Sequence, residues 1–463
     1  MLDKDSQDEL KRLATKIKAE KLVKAGKEIN AVKWTYEIVD GGVILGNAGE
    51  RWVPAVSNRT METLTIPETI DGKPVRGIGS GAFWRCTQLS SLNLPSSLRS
   101  IGYAAFEDCT GLTSLTIPSG VTNVSSRAFR NCTGLKSVAI PSAVKNIGNS
   151  AFSGCDGLMS ISVENDNASF RSVDGIMYDK SMKVVWCCPG GRTGNVTIPD
   201  GVMRIGDSAF EGCKGLISVM IPQSVERLDS EAFRDCSGLS SVKIPSGVKR
   251  IGSQAFWGCR GLTSMVIPAG VTDIAKGCSW GAFGCCDSLK SFTVDPANSA
   301  YSSRNGMLCS KDGVELIAGV NGDAVIPSGV THIERGAFYG CKGLVSVTIP
   351  RGVVSIESSA FSHCAGLTSV TIPSGVSSIG YQAFSWNPNL RQVDIPASVR
   401  KIGDHAFIVC PKLTVIDIRG ESVEIDRTAF GRDTPVGAKM PDLSKPVGPI
   451  HVVVGKDASG EVV

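Results

Sequence analysis

The sequence predicts a solenoid, α/β to mostly β. It would be a curved, right-handed array of coils of about 23 residues, with a parallel β-sheet on one face and short helical turns on the other. Three observations carry that prediction. Phenylalanine keeps a fixed period: 13 of the 15 follow an alanine, and from Phe83 to Phe152, Phe210 to Phe256 and Phe338 to Phe430 each step is 23 residues. A cysteine stands three residues after that phenylalanine in eleven units. Before each Ala-Phe pair, apolar and small polar residues alternate with period 2, the mark of a strand with one buried face.

The unit from Leu112 to Gly134 shows the parts. Leu112, Leu115 and Ile117 have L-x-x-L-x-L spacing, with Ser114 and Thr116 on the wet face. Pro118 ends the strand because it has no N–H to donate. Ser119-Gly120 makes a turn, and Val121 and Val124 begin the return side. Ala128-Phe129 puts a small residue beside a large one, which suits a short helical turn packed inward. Gly134 lets the chain swing into the next strand. One unit cannot bury its apolar side alone. Stacked, Phe129 lies between Phe106 and Phe152, and each such burial contributes roughly 1.5–3 kcal/mol.

Along the chain, residues 1–31 are expected to hold an amphipathic helix. Leu10, Leu13 and Ile17 supply its apolar face and Gly26 its stop. Residues 32–59 read as a hairpin around Asp40-Gly41 that caps the stack. Residues 60–430 are the array. Two irregular units, at about 163–198 and 294–326, resemble each other and carry the hairpin dipeptides Asp174-Gly175 and Asn305-Gly306. They read as strand-rich coils that keep the sheet continuous. Residues 431–463, with Pro435, Pro441, Pro446 and Pro449, read as an extended tail or linker.

The recurring I-P-x-x-V-x-x-I-G-x-x-A-F-x-x-C-x-x-L-x-S-V, clear at Ile221–Val242 and Ile349–Val370, resembles the leucine-rich repeat. The likeness is to its bacterial surface-antigen subclass, the BspA-like or Treponema pallidum-type repeat, and it covers about residues 60–430. The resemblance implies an adhesion or protein-binding protein that is secreted or held at the cell surface. The stretch MLDKDSQDELKRLATKIKAEK has no apolar core of the signal-peptide kind. A truncated start, another export route or a cytoplasmic protein are the alternatives.

Cys86, Cys109, Cys132, Cys155, Cys213, Cys236, Cys259, Cys286, Cys341, Cys364 and Cys410 form the ladder, and Asn387 takes the place in one unit. Asn and Cys can both hydrogen-bond buried backbone, and Asn cannot form a disulfide, so buried reduced thiols are expected. Cys187, Cys188, Cys278, Cys285 and Cys309 lie off the ladder and read as packing residues.

Composition narrows the function. Hydrophobic residues at 42% exclude a disordered chain despite Gly 52 and Pro 22, and a net charge of +4 does not mark a dedicated nucleic-acid binder. No apolar run approaches the ~20 residues of a bilayer span. The four His (His332, His363, His405, His451) sit in no triad with a repeat Ser or Cys. Gly77 to Gly81 is the first I-G-x-x-A-F segment, with no P-loop Lys-Ser/Thr after it. Glu226, Asp229 and Glu231 read as scattered carboxylates. No enzyme activity, metal or cofactor is expected.

What remains is surface. Ten strands carry serine at one outward place, Ser91 and Ser369 among them, and Lys243, Asp394 and Asp417 interrupt a Ser/Thr face. Trp84, Trp257 and Tyr339 follow the repeat phenylalanine and are candidate contacts. Arg204, Arg227, Lys249, Arg250, Arg400 and Lys401, with Arg99 and Lys145, recur between the Val and the Ile of successive units and would form a discontinuous basic stripe. The function expected is a monomeric, non-enzymatic scaffold for a protein or glycan partner. A passive spacer, or a binder of acidic glycans through the stripe, is the alternative.

Overall fold

The computed structural model describes residues 24–29, 32–47, 52–276, 281–419, 423–426, 428–430 and 450–453. It divides into two units, Met1–Arg192 with Gly206–Cys213, and Thr193–Ile205 with Lys214–Val463. Each is a stack of coils with three sides. The first side is the L-x-x-L-x-L strand. Ser137–Ile140 pairs parallel with Ser160–Val163, and Ser137 sits opposite Ser160, one period away. Its burial alternates as the leucines and serines require. The second side is a two-residue strand at the V-x-x-I segment, such as Asn123–Val124 between Ser100–Ile101 and Asn146–Ile147.

The third side, the Ala-Phe corner, was expected to be a short helical turn and is not one: no helix occurs among the described residues. The backbone gives the reason. In all twelve coils from Phe83 to Phe407, the residues two before and two after the phenylalanine have positive φ, as in Arg127 (59°) and Asn131 (58°) around Phe129. Left-handed residues at that spacing break any helix. They turn alternate N–H groups along the stack. Gly81, Phe83 and Arg85 each donate to the next coil, to Tyr103, Ala105 and Glu107 carbonyls, all at 2.8 Å. The N–H groups between them fold back locally, Trp84 to Gly81 O at 3.1 Å and Cys86 to Phe83 O at 3.2 Å. A helix would have kept every bond inside its own coil. The corner instead makes a third intercoil ladder.

The phenylalanines stack inside the coils. In the first unit, Phe83, Phe106, Phe129 and Phe152 have successive centroid distances of 5.0, 5.3 and 5.6 Å with planes within 8°. In the second, Phe338, Phe361, Phe384, Phe407 and Phe430 run at 4.9, 5.1, 5.4 and 5.4 Å. Near-parallel rings at this spacing are offset-stacked, the arrangement their quadrupoles favour.

The irregular units are three-stranded antiparallel meanders. Phe170–Val173, Ile176–Asp179 and Val184–Cys187 form one, and Tyr301–Arg304, Met307–Ser310 and Glu315–Ala318 the other. Their tight turns hold positive φ at both central residues, Asp174 and Gly175 or Asn305 and Gly306, as a type I′ turn demands. A buried asparagine anchors each. Asn167 Nδ2 donates to Pro141 and Val144 carbonyls at 2.8 and 3.0 Å, and its Oδ1 accepts from the Ser169 and Phe170 N–H groups. Asn298 repeats this with Pro268, Val271, Ala300 and Tyr301.

At the start of the array, Val32–Val39 and Gly42–Leu45 pair antiparallel across Asp40-Gly41. Trp34 lies edge-on to Phe83, centroids 6.4 Å apart, and covers the first ring of the stack. The helix expected over residues 5–25 falls, up to residue 23, outside the described residues. Lys24–Ile29, assigned to that N-terminal helical segment with Gly26 as its stop, is a strand paired with Val32–Val39. The correction follows from the edge, whose N–H and C=O groups take a strand partner. Of the tail, Ile450–Val453 is described, and it pairs antiparallel with Val415–Ile418.

Candidate interaction surface

The ladder cysteines face inward and donate to the backbone of the coil before. Sγ of Cys109, Cys132 and Cys155 lies 3.2, 3.2 and 3.1 Å from the Phe83, Phe106 and Phe129 carbonyls. Cys259, Cys286, Cys364 and Cys410 make the same bond to Phe233, Phe256, Phe338 and Phe384 at 3.0–3.2 Å. Asn387 substitutes directly: its Nδ2 donates to the Phe361 and Phe384 carbonyls at 2.9 and 2.8 Å. Cys213 donates to the Pro189 carbonyl at 3.6 Å, and Cys86, Cys236 and Cys341 are buried at the same place. The fifteen cysteines among the described residues are all free thiols. Burial pushes Cys132, Cys155, Cys259, Cys286, Cys341 and Cys364 up, and Cys410 up to about 12. Off the ladder, Cys187 and Cys188 are buried, and burial raises Cys285 and Cys309 to about 11. Thiols raised this way supply no thiolate near neutral pH, whereas the hydrogen bond with Cys109 lowers Cys86. Cys278 lies outside the described residues.

The basic residues do share a face, but acids interleave with them. Arg204, Arg227 and Arg250 occupy one register column in the second unit, which continues to Asp273. Asp229, nearly buried, takes both Arg204 and Arg227, the latter at 3.4 Å, and Arg250 reaches Asp273 at 2.7 Å. Lys249 faces Glu226 at 3.9 Å and Lys401 faces Glu424 at 3.5 Å. Arg400 donates to the Ala397 carbonyl at 2.8 Å, and Arg99 to the Ser96 and Leu98 carbonyls. Glu226, Asp229 and Glu231 were read as scattered. They are the partners of Lys249, of two arginines, and of Arg234 at 3.0 Å. Acids thus offset part of the stripe's charge, while Arg204 and Arg227 share one carboxylate and Arg400 bonds a carbonyl.

The three aromatic candidates sit in different surroundings. Trp84 meets Trp52 at 4.9 Å, with the Arg85 guanidinium 4.3 Å over its ring. Trp257 is half-buried under Arg234, 4.7 Å from its centroid. Tyr339 lies 5.1 Å from His363, which stacks on exposed Trp386 at 5.3 Å.

On the strand face, serine hydroxyls bond their neighbours along the stack, Ser218 to Asn195 at 2.8 Å and Ser346 to Asp323 at 2.7 Å. The face also exposes large apolar residues. Ile217, Met220 and Val266 are 54%, 67% and 54% exposed, and Lys243 is in register with Met220. The return side holds a cleft of about 490 Å³ lined by Lys276, Glu315, His332, Glu334, Arg335 and Glu357. Lys276 pairs with Glu315 there, and burial raises the Glu334 carboxyl. Among the described residues no His, Cys, Asp or Glu group could hold a metal ion, and no helix is long and apolar enough to cross a membrane.

The BspA type leucine-rich repeat region matches this chain in six copies, over residues 55–174, 190–304 and 322–435. The chain belongs to that family. Among solved structures, a leucine-rich repeat protein from Bacteroides ovatus is 23% identical, with 84% of this chain and 93% of that one covered and a TM-score of 0.37. A leucine-rich cell surface protein from Faecalibacterium prausnitzii is 23% identical, covering 88% and 96%, TM-score 0.40. The leucine-rich repeat protein of T. pallidum is 26% identical, covering 50% and 87%, TM-score 0.31. No curated protein matches.

The BspA-type repeat accounts for the ladder and the stacked rings. It does not account for the residues that break its pattern. Glu334 and Glu357 stand where other coils carry the glycine of I-G, such as Gly380 and Gly403, and both line the cleft. Met220 and Val266 stand in the column that also holds Thr197, Lys243 and Thr293. Departure from the consensus was the available signal for both. Trp52 lies before the array, where no period flags it.

Proposed function

We propose that this leucine-rich repeat chain is a monomeric, non-enzymatic recognition scaffold for adhesion at a bacterial cell surface, and that it takes a protein partner on the strand face of its second unit. One observation carries the reading: Ile217, Met220, Val266, Val325 and Val345 stand exposed among the serines and threonines of that face. The backbone that carries them is already ordered by intercoil bonds, so binding there loses only side-chain entropy. Exposed apolar anchors among polar residues are the usual makings of an interface hot spot. The Faecalibacterium relative, described as a cell surface protein, supports the location.

The test is an array of purified extracellular host proteins probed with the full chain and with Met220→Asp/Val266→Asp. Saturable binding to at least one protein, weakened at least about tenfold by the substitutions, is expected. Binding to none of them, or binding the substitutions leave unchanged, sinks the reading.

A further inference from the structure

Trp52 is 41% exposed, and one face of its indole lies on the backbone of Gly81. A Cβ at Gly81, whose φ is +62°, would stand 2.7 Å from Trp52 Cδ2, 2.8 Å from Cγ and 3.0 Å from Cε3. With the ring junction nearest, the contact is facial, and the exposed part of the ring is the side away from Gly81. Trp84 meets it at 4.9 Å and Tyr103, 37% exposed, at 6.3 Å. Three guanidiniums surround the rings. Arg85 and Arg59 lie 4.3 and 5.7 Å from the Trp84 centroid, and Arg127 lies 5.9 Å from that of Tyr103. Arg85 reaches Asp108 at 3.5 Å, whereas Arg59 and Arg127 have no carboxylate partner among the described residues. This contrasts with the partly neutralised stripe of the second unit.

We propose that this cluster is a binding site for an acidic saccharide, a chain of uronate or sulfated sugar units. The negative face of an indole attracts the electropositive C–H face of a pyranose. Arginine forks match carboxylate and sulfate oxygens. Three rings and three guanidiniums span one or two sugar units, far below the roughly 1,000 Å² a stable protein interface needs. A single-stranded nucleic acid would also stack on the rings, but it needs a continuous cationic track along its backbone, and acids interleave with the basic residues of the second unit. The site deepens the scaffold reading by naming a ligand class, and it shares no residue with the strand-face patch.

The full chain is titrated with a galacturonate hexasaccharide, a heparin-derived hexasaccharide, neutral maltohexaose and an oligo-dT strand, by calorimetry and tryptophan fluorescence. Saturable binding of at least one acidic hexasaccharide is expected, with none of maltohexaose. It should weaken several-fold between about 50 and about 300 mM NaCl. Trp52→Ala, and separately Arg59→Gln/Arg127→Gln, should each weaken it at least about tenfold while circular dichroism stays unchanged; Met220→Asp/Val266→Asp should leave it intact. Silence with both acidic sugars, indifference to the Trp52 and arginine substitutions, or tighter binding of oligo-dT overturns the proposal. None of these outcomes bears on the strand-face test.

Discussion

Val409 holds φ at +56° with a β-branched side chain, where most other coils hold glycine, asparagine or aspartate, such as Gly258, Asn131 and Asp108. A β-branched residue pays roughly 1–2 kcal/mol for that conformation, and asparagine pays less. Val409 is also 42% exposed, so little packing is lost on replacing it. Val409→Asn should therefore stabilise the protein by about 1 kcal/mol, read as a higher urea midpoint at unchanged slope. The ladder gives the opposite sign. Cys132→Ala removes one of the two donors to the buried Phe106 carbonyl, which keeps the Cys109 N–H at 3.2 Å, and should cost about 1 kcal/mol. Asn387→Cys should cost less than Asn387→Ala, because a thiol restores one of its two bonds. Equal losses in the two Asn387 variants would show that the position is about packing. The hydrogen-bonding role was legible because asparagine appears once among the cysteines. Its acceptor, the phenylalanine carbonyl of the previous coil, was not, since a period says which residues align and not which groups face each other.

At the scale of one coil, the strand and the buried phenylalanine followed from period 2 and from period 23. The third side did not, and a helical turn was expected there. Ala-Phe carries no left-handed signature of its own. The residues at positive φ include Arg127, Glu231, Gln254 and His405, which turn statistics disfavour. The intercoil bonds at the corner override local preference, and a sequence shows those bonds only through the repeat as a whole. The same geometry makes the coil a removable module. Deleting residues 361–383 joins Ala360 to Phe384 and restores every register. The shortened chain should still unfold cooperatively, with reduced stability. Deleting one residue fewer should abolish folding of the following coils, because a slip by one turns inward side chains outward. Far-ultraviolet circular dichroism through a urea series separates the two cases.

For the molecule as a whole, the difficulty of a stacked parallel sheet is its ends. Every intermediate coil lends N–H and C=O groups to both neighbours, and a terminal one has none to take them. Each unit meets this with a reversal of chain direction. The first begins with Lys24–Ile29, Val32–Val39 and Gly42–Leu45, antiparallel to one another before parallel pairing starts at Val43 with Val75. In the second, Ile450–Val453 runs antiparallel to Val415–Ile418, the last strand of its face. The reversed strand takes the free groups of the last parallel strand and leaves only a short edge of its own. Truncation after residue 430 would leave Val415–Ile418 as a bare edge whose register matches that of any coil in a second molecule. Light scattering should show the full chain staying monomeric across concentration and the truncated chain associating as concentration rises. Replacing Val452 by proline, which removes one ladder donor, should move the full chain part of the way. If the truncated chain stays monomeric as concentration rises, the 450–453 strand is not what closes this edge.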